Sequence, residues 1–372
     1  MLPLDIARFW KEDEIAHRDN CFSQEATQVA LGIRMSPECV YTELGEPGKP
    51  WLTEDPTRAR ELFRRYNDKA ERIVGIRLLF EDFPTPDQIY PPYRRIGEWF
   101  GGRYIENSIS EWLESDIKTL QELEKMLDQL ERTDLREFML PPGWEAEKRR
   151  IQETYGTQPP GVRHIRGPVT LAMSIFGVEP FIYLCLDEPE LAQRFSAAIA
   201  DATVRMAEIA DEEAGYAPGE APHGFSFADD NCCLLTPEMY EMFGYPILKR
   251  VFEHFSPDPD DKRYQHSDSA MGHLLPILGR LDLNGVNFGP TVMADEIRKH
   301  MPLARIDGCI APFTFMRNEE ENLIAEVKRD CENIRKTGTR GLNISTAGSI
   351  NDGSSLQSMR VIMAAIQEFG RY

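Results

Sequence analysis

Basic residues are scarce in this 372-residue chain: 42 Lys and Arg stand against 62 Asp and Glu, a formal net charge of −20. Such a field repels phosphate backbones and anionic membrane surfaces, so nucleic acid and membranes are not expected partners. The acidic residues are spread along the chain and read as a solvated exterior. No run of about 18 apolar residues occurs, so no membrane span is expected. The opening MLPLDIARFWKEDE has no basic region followed by a long apolar run, and no secretory leader is read there. Cysteines are few and odd in number: Cys21, Cys39, Cys185, Cys232, Cys233, Cys309 and Cys331, with no CxxC. A disulfide framework is therefore not expected, and a reducing, cytoplasmic setting fits better. No GxGxxG or GxxxxGK(S/T) opens a helix, which argues against nucleotide binding. Internal repeats and low-complexity segments are absent.

What the chain does have is 41% hydrophobic residues, enough for a large core. Helical periodicity appears first in IARFWKEDEIAHR and in 57–73. A Gly/Pro-rich loop at 47–56 separates the two. GIRLLF (75–80) reads as a buried strand ending in the acidic pair Glu81-Asp82. Strand-like and helical pieces then alternate. Helices are expected at 117–132, at 187–213 with Asp187 as its N-cap, at 236–255 opened by Thr236-Pro237, at 318–338 stopped by Gly338, and after 350. Strands are expected around 161–166, 223–230, 263–268, 282–290, 303–312 and 341–350. GHLLPILGRL reads as a further helix, and 140–160 as an excursion between elements. Seven or eight such alternations with short loops predict a parallel α/β architecture, and their count favours a single (β/α)8 TIM barrel over an open sheet. Residues 1–70 would form a helical extension packed on it, and 71–372 the barrel.

In a barrel the reacting groups sit at the C-terminal ends of the strands. Those ends supply Glu81 and Asp82, Asp229 and Asp230, His266 and Asp268, Asn287, Cys309, and Asn343 and Ser345. Clustered carboxylates beside a histidine suit proton transfer, because like charges raise one carboxyl pKa while another group remains ionised. Asp82, Asp229, Asp230, His266 and Asp268 are accordingly the catalytic candidates. Glu81, Asn287, Asn343 and Ser345 are candidates for holding substrate. Each has a plainer reading. Asp82 could be a loop carboxylate, Asp229-Asp230 could cap the helix at 236, and Asp268 could cap the helix containing 274–278. His273 and Cys232-Cys233 read as structural. A zinc ion would need three ligands, and His266, Asp268 and Cys309 are the set the strand ends supply.

The ordered pieces GIRLLFEDFPTP, EWFGGRY with IKTLQELEKM, HIRGPVTLAMSIFG with LDEPELAQRF, GFSFADDNCCLLTPEMYEMFGYPILKRVFE, YQHSDSAMGHLLPIL and ISTAGSI resemble the uroporphyrinogen decarboxylase superfamily, which includes corrinoid-dependent methyltransferases. The resemblance spans roughly 70–370 and implies one TIM barrel with its site at the strand C-termini. Asp82 matches the Asp that the decarboxylases carry after an early strand. The chain departs from both branches. No RQAGRY-type motif occurs, the nearest piece being RMSPECVY. STAGS stands where the decarboxylases have NLGHG. His266-Ser-Asp268 replaces the His-x-Cys of the zinc methyltransferases, and Gly348 or Ser349 replaces their late Cys. The resemblance thus implies a methyltransferase of the corrinoid-linked branch, moving a methyl group between a corrinoid carried by a partner protein and a small acceptor or donor. The alternatives are a decarboxylase acting on a tetrapyrrole or a related aryl or pyrrole acid, and a barrel that binds without turnover. A homodimer through the amphipathic N-terminus is a further expectation.

Overall fold

A computed structural model describes residues 2–48, 55–106 and 111–372. Residues 49–54 of the loop expected at 47–56 lie outside these. Nine strands occur among the described residues: β1 (Ala30–Leu31), β2 (Gly102–Glu106), β3 (Glu111–Ser115), β4 (His164–Arg166), β5 (Phe225–Ala228), β6 (Arg263–Ser267), β7 (Gly285–Phe288), β8 (Arg305–Ile310) and β9 (Leu342–Thr346). The chain divides into two compact bodies. One comprises Met1–Phe83, Ser267–Leu275 and Asn284–Tyr372; the other comprises Pro84–His266 and Pro276–Leu283.

In the first body, β1, β9, β8 and β7 pair in that order and all in parallel. Parallel strands buried on both faces read as continuous apolar runs, and β7 is buried at all four positions. The helix Pro56–Val74 shows why such elements form. Asp55 accepts a hydrogen bond from the Thr57 N–H, Pro56 occupies the first turn, and Gly75 ends the helix at φ 89°. Its buried positions Leu62, Tyr66, Ala70 and Val74 recur every four residues, which is the helical apolar stripe. The segment 75–80, expected as a strand, is not one. Asn67 explains the difference: its Oδ1 accepts from the Leu78 and Leu79 N–H groups, and its Nδ2 donates to the Leu79 carbonyl at 2.8 Å. A side chain thus takes the place of a neighbouring strand.

In the second body, β4, β5 and β6 pair in parallel, and β2 and β3 form an antiparallel hairpin. The helix Pro237–Phe255 starts as expected, with the Thr236 side chain accepting from the Met239 N–H. Asp187 does not cap the long helix. It ends the helix Val178–Asp187, and the long helix runs Pro189–Glu213. The excursion at 140–160 contains the helix Trp144–Tyr155, which is tied to Glu213. The buried Glu213 carboxylate accepts from Trp144 Nε1 at 2.6 Å and Lys148 Nζ at 2.5 Å, and it also pairs with Arg136. Burial works to raise its pKa, but these three donors hold it below the usual carboxylate range.

The stretch GHLLPILGRL, expected as one helix, is a single α-turn at Leu275–Leu278 between two 3-10 turns. Asp268 does not cap it, because Met271 holds the cap position and no side chain bonds there. No single helix among the described residues is long and apolar enough to cross a membrane.

Candidate active site on β4, β5 and β6

Register decides which side chains meet on these strands. His164 lies opposite Ser226, and Ser226 opposite Tyr264; Arg166 lies opposite Ala228, and Ala228 opposite His266. Side chains alternate between the two faces of a strand, so these six residues share one face. Ile165 and the phenylalanines of β5 share the other. Phe225 stacks on Phe255, and Phe227 meets Phe252 edge-on, which places the helix Pro237–Phe255 over that apolar face. The polar face is therefore the one left for chemistry. At its C-terminal edge stand Arg166 and His266, one on each side of Ala228.

Asp229 and Asp230 follow β5 directly, but they do different things. The ladder continues past the strand, with the Asp229 N–H donating to the His266 carbonyl at 2.9 Å. The Asp229 side chain is fully buried and turns toward the start of the helix Pro168–Phe176. There it accepts from the Thr170 N–H at 2.8 Å and the Val169 N–H at 3.3 Å. Burial raises its pKa to about 6, against the pull of those backbone donors. It thus binds a helix N-terminus, though not that of the helix at 236. Gly167 is required for this approach, since a Cβ there would lie 2.1 Å from the Asp229 Cβ. The Thr170 hydroxyl in turn accepts from the Asn231 N–H at 3.0 Å, which fixes the start of the next turn. Asp230 emerges from this anchored loop half-exposed. Its Oδ1 stands 3.7 Å from His266 Nε2, an ion-pair distance when the imidazole is protonated.

A cavity of about 460 Å3 runs along β4 on the side away from β5, and His164, Arg166, Arg95, Tyr104 and Glu111 contribute polar atoms to its wall. Arg95 grips Glu111 with two bonds of 2.5 and 2.7 Å and lies over the Tyr104 ring. That grip holds the Glu111 carboxyl below its usual range. His164 Nδ1 lies 3.0 Å from the Ser226 hydroxyl. Partial loss of its water shell, reinforced by Lys262 and His266, lowers its pKa and favours the neutral ring. Arg166 also faces Glu111 and adds to the lowering of its pKa.

The other expected residues lie in the first body. Glu81 is held by Asn67 at 2.7 Å and by Arg77, which keep its pKa below the usual range. Asp82 is exposed. Neither follows a strand, which corrects the expectation for both. Asn287 Nδ2 donates to the Thr346 and Asp307 carbonyls, and Asn343 Nδ2 donates to Asp307 Oδ1 at 2.7 Å. Their amide N–H groups thus link β7, β8 and β9. Ser345 is half-buried on β9. Asp268 is exposed, with its backbone against Gly289 and its Cβ near Gly348. Cys309 lies on β8 in the first body. It is buried, and burial followed by the neighbouring Asp330 raises its thiol pKa well above the usual value.

A family model for uroporphyrinogen decarboxylase (URO-D) matches residues 113–369. The chain belongs to this family. Its fold class is α/β, the TIM barrel of URO-D proteins. Among solved structures, a methyltransferase from Methanosarcina mazei is similar, with 16% identity, 92% of each chain covered and a TM-score of 0.51. At that identity the likeness shows the fold alone. No curated protein matches the chain in sequence. The URO-D match includes β4, β5 and β6, so the polar face lies within the family's own region. Arg166, His164 and Tyr104 do not figure among the residues expected from sequence. The available signal was the polar–apolar–polar alternation of His164-Ile165-Arg166, in a strand where an apolar run would be ordinary.

Proposed function

We propose that this URO-D family member is a methyltransferase of the corrinoid-linked branch, with its small substrate seated on the polar face of β4, β5 and β6. The observation that carries the reading is the placement of Asp230 beside His266 at adjacent strand ends, next to Arg166. When a methyl group leaves an oxygen or nitrogen of a small molecule, the bonding pair stays on that atom, which must then be protonated. In the opposite direction the accepting atom must lose its proton. An imidazole–carboxylate pair serves both directions, with His266 exchanging the proton and Asp230 stabilising the imidazolium. A corrinoid on a partner protein would supply the other end of the transfer. The chain's own residues seat the substrate and move the proton. The polar face offers one guanidinium and two imidazoles, which suits a substrate with a single anionic arm better than a polyacid.

A decarboxylase reading draws support from the URO-D match and from Arg166, since its substrate also carries a carboxylate. Two products separate the readings. Purified protein is incubated with methylcobalamin or reduced cobalamin and small methyl acceptors or donors, and corrinoid absorbance is followed. A parallel sample is assayed for released CO2. Corrinoid-coupled turnover without CO2 supports the proposal; CO2 without methyl exchange replaces it.

A further inference from the structure

The cavity beside β4 has an unbalanced charge inventory. Its Arg95 and Glu111 neutralise each other through two hydrogen bonds. Arg94, also in the wall, lies 3.7 Å from Glu98 and over the Phe138 ring. The half-buried Arg166 also faces the Glu111 carboxylate and helps to lower its pKa, so two guanidiniums share one carboxylate and one positive charge is left over. A cation drawn partly out of water with only a shared partner costs free energy, and a ligand that brings a carboxylate of its own recovers it. Ile96, Met139, Ile165 and Met206 give the wall its apolar part, beside the hydroxyl-bearing Tyr93 and Thr203. At about 460 Å3 the cavity lies in the range of small-molecule sites, which pair apolar walls with a few placed polar groups. A cavity of roughly 150 Å3 accommodates a benzene ring. This one therefore holds a substituted monocycle or bicycle.

We propose that Arg166 binds the carboxylate of an aryl or cyclic monocarboxylic acid whose ring lies against the apolar wall of this cavity. The proposal rests on the reading of the β4–β6 face as the substrate site and names the substrate class for it. A planar guanidinium presents a fork that matches a carboxylate with two parallel bonds. One positive charge in excess, Arg95 and Arg166 against Glu111, favours a monoanion. A phosphate dianion would need a second cation, and Arg95 is already committed to Glu111. Tyr104, fixed beneath Arg95 with ring and guanidinium 3.2 Å apart, forms a rigid side of the pocket.

The test is calorimetric titration of the full chain, with no corrinoid present, using benzoate, the neutral isostere benzamide, and phenyl phosphate. Benzoate binding is expected to exceed that of benzamide and phenyl phosphate. It should weaken about 10–100-fold in Arg166→Gln, the range for loss of a charge-assisted bidentate pair. Arg166→Lys keeps the charge but not the fork and should fall in between, which separates a lost anion contact from a misfolded strand. Equal benzoate affinity in wild type and Arg166→Gln overturns the proposal, as do benzamide binding as well as benzoate and an absence of benzoate binding. Benzoate binding that depends on Arg166 in a protein that moves no methyl group would keep this site and refute the transfer reading. Methyl transfer with Arg166-independent binding would do the reverse.

Discussion

Replacing Asp229 by Asn isolates one buried proton. Asp229 is fully buried, and burial moves its pKa from 3.8 to about 6 even though it accepts hydrogen bonds from two backbone N–H groups of the helix Pro168–Phe176. That displacement corresponds to about 3 kcal/mol of differential stability. The sign follows from which state holds the proton. Below pH 3.8 both folded and unfolded chains are protonated at this site. Between 3.8 and 6 the unfolded chain has released the proton and the folded chain retains it, so this group's contribution to stability falls as pH rises. Above 6 the loss is complete and constant. Asn carries no such proton at any pH. The stability of wild type minus that of Asp229→Asn should therefore fall by about 3 kcal/mol as pH rises from 3.8 to about 6, and then stay level. Urea unfolding followed by tryptophan fluorescence at pH 4, 5, 6 and 7 on both proteins measures it. Taking the difference cancels carboxylates such as Glu81 and Glu111, whose lowered pKa values act with the opposite sign. A difference that is flat, or that rises with pH, would refute the claim that burial outweighs the helix N-terminus at this carboxyl.

Other expectations follow from the same loop and its supports. Gly167→Ala forces a Cβ to 2.1 Å from Asp229, so β4 or the Asp229 loop must shift; a loss of about 1–3 kcal/mol and a lower Tm are expected in thermal unfolding. Glu213→Ala leaves Lys148, Arg136 and the Trp144 N–H without their common acceptor. It should cost about 3–5 kcal/mol, red-shift Trp144 emission and open 134–155 to proteolysis before the rest of the chain. Asp230→Asn should slow turnover while leaving thermal stability close to wild type, because its carboxylate is half-exposed and stands 3.7 Å from His266. A parallel loss of Tm would show it to be structural instead.

Much of the architecture was legible from the chain. Thr236-Pro237 opens its helix as read, and Gly338 lies just beyond the end of Glu320–Lys336 in a left-handed conformation. β4 to β9 all fall within the segments read as strands. The failures have local causes. GIRLLF is apolar enough for a strand, but Asn67 takes up the backbone of Leu78 and Leu79, and periodicity does not register a hydrogen bond arriving from 11 or 12 residues away. Asp187 has the chemistry of a cap, yet the preceding helix runs through it. For the site, the pairing of Asp230 with His266 follows from parallel register once the ends of β5 and β6 are known. Acidic residues after a strand suit a helix N-terminus as well as a reaction, and the 3.3 and 2.8 Å bonds from Val169 and Thr170 that tie Asp229 to a helix start are not legible in the sequence. Arg166 is not legible from periodicity, because a strand at HIR does not by itself say which face its polar members take.

In the proposed reaction His266 and Asp230 move a proton to or from a small substrate at the ends of β5 and β6. The measurement that tests it most directly is turnover of a carboxylated aryl methyl ether, such as 4-methoxybenzoate, with reduced cobalamin. Wild type, His266→Asn and Asp230→Asn would be compared, with methylcobalamin formation and CO2 release read in the same samples. The account predicts methylcobalamin formation by wild type, a loss of about 10²–10⁴-fold in His266→Asn, a smaller loss in Asp230→Asn, and no CO2. Equal rates in all three proteins, or CO2 release without methylcobalamin, would contradict it.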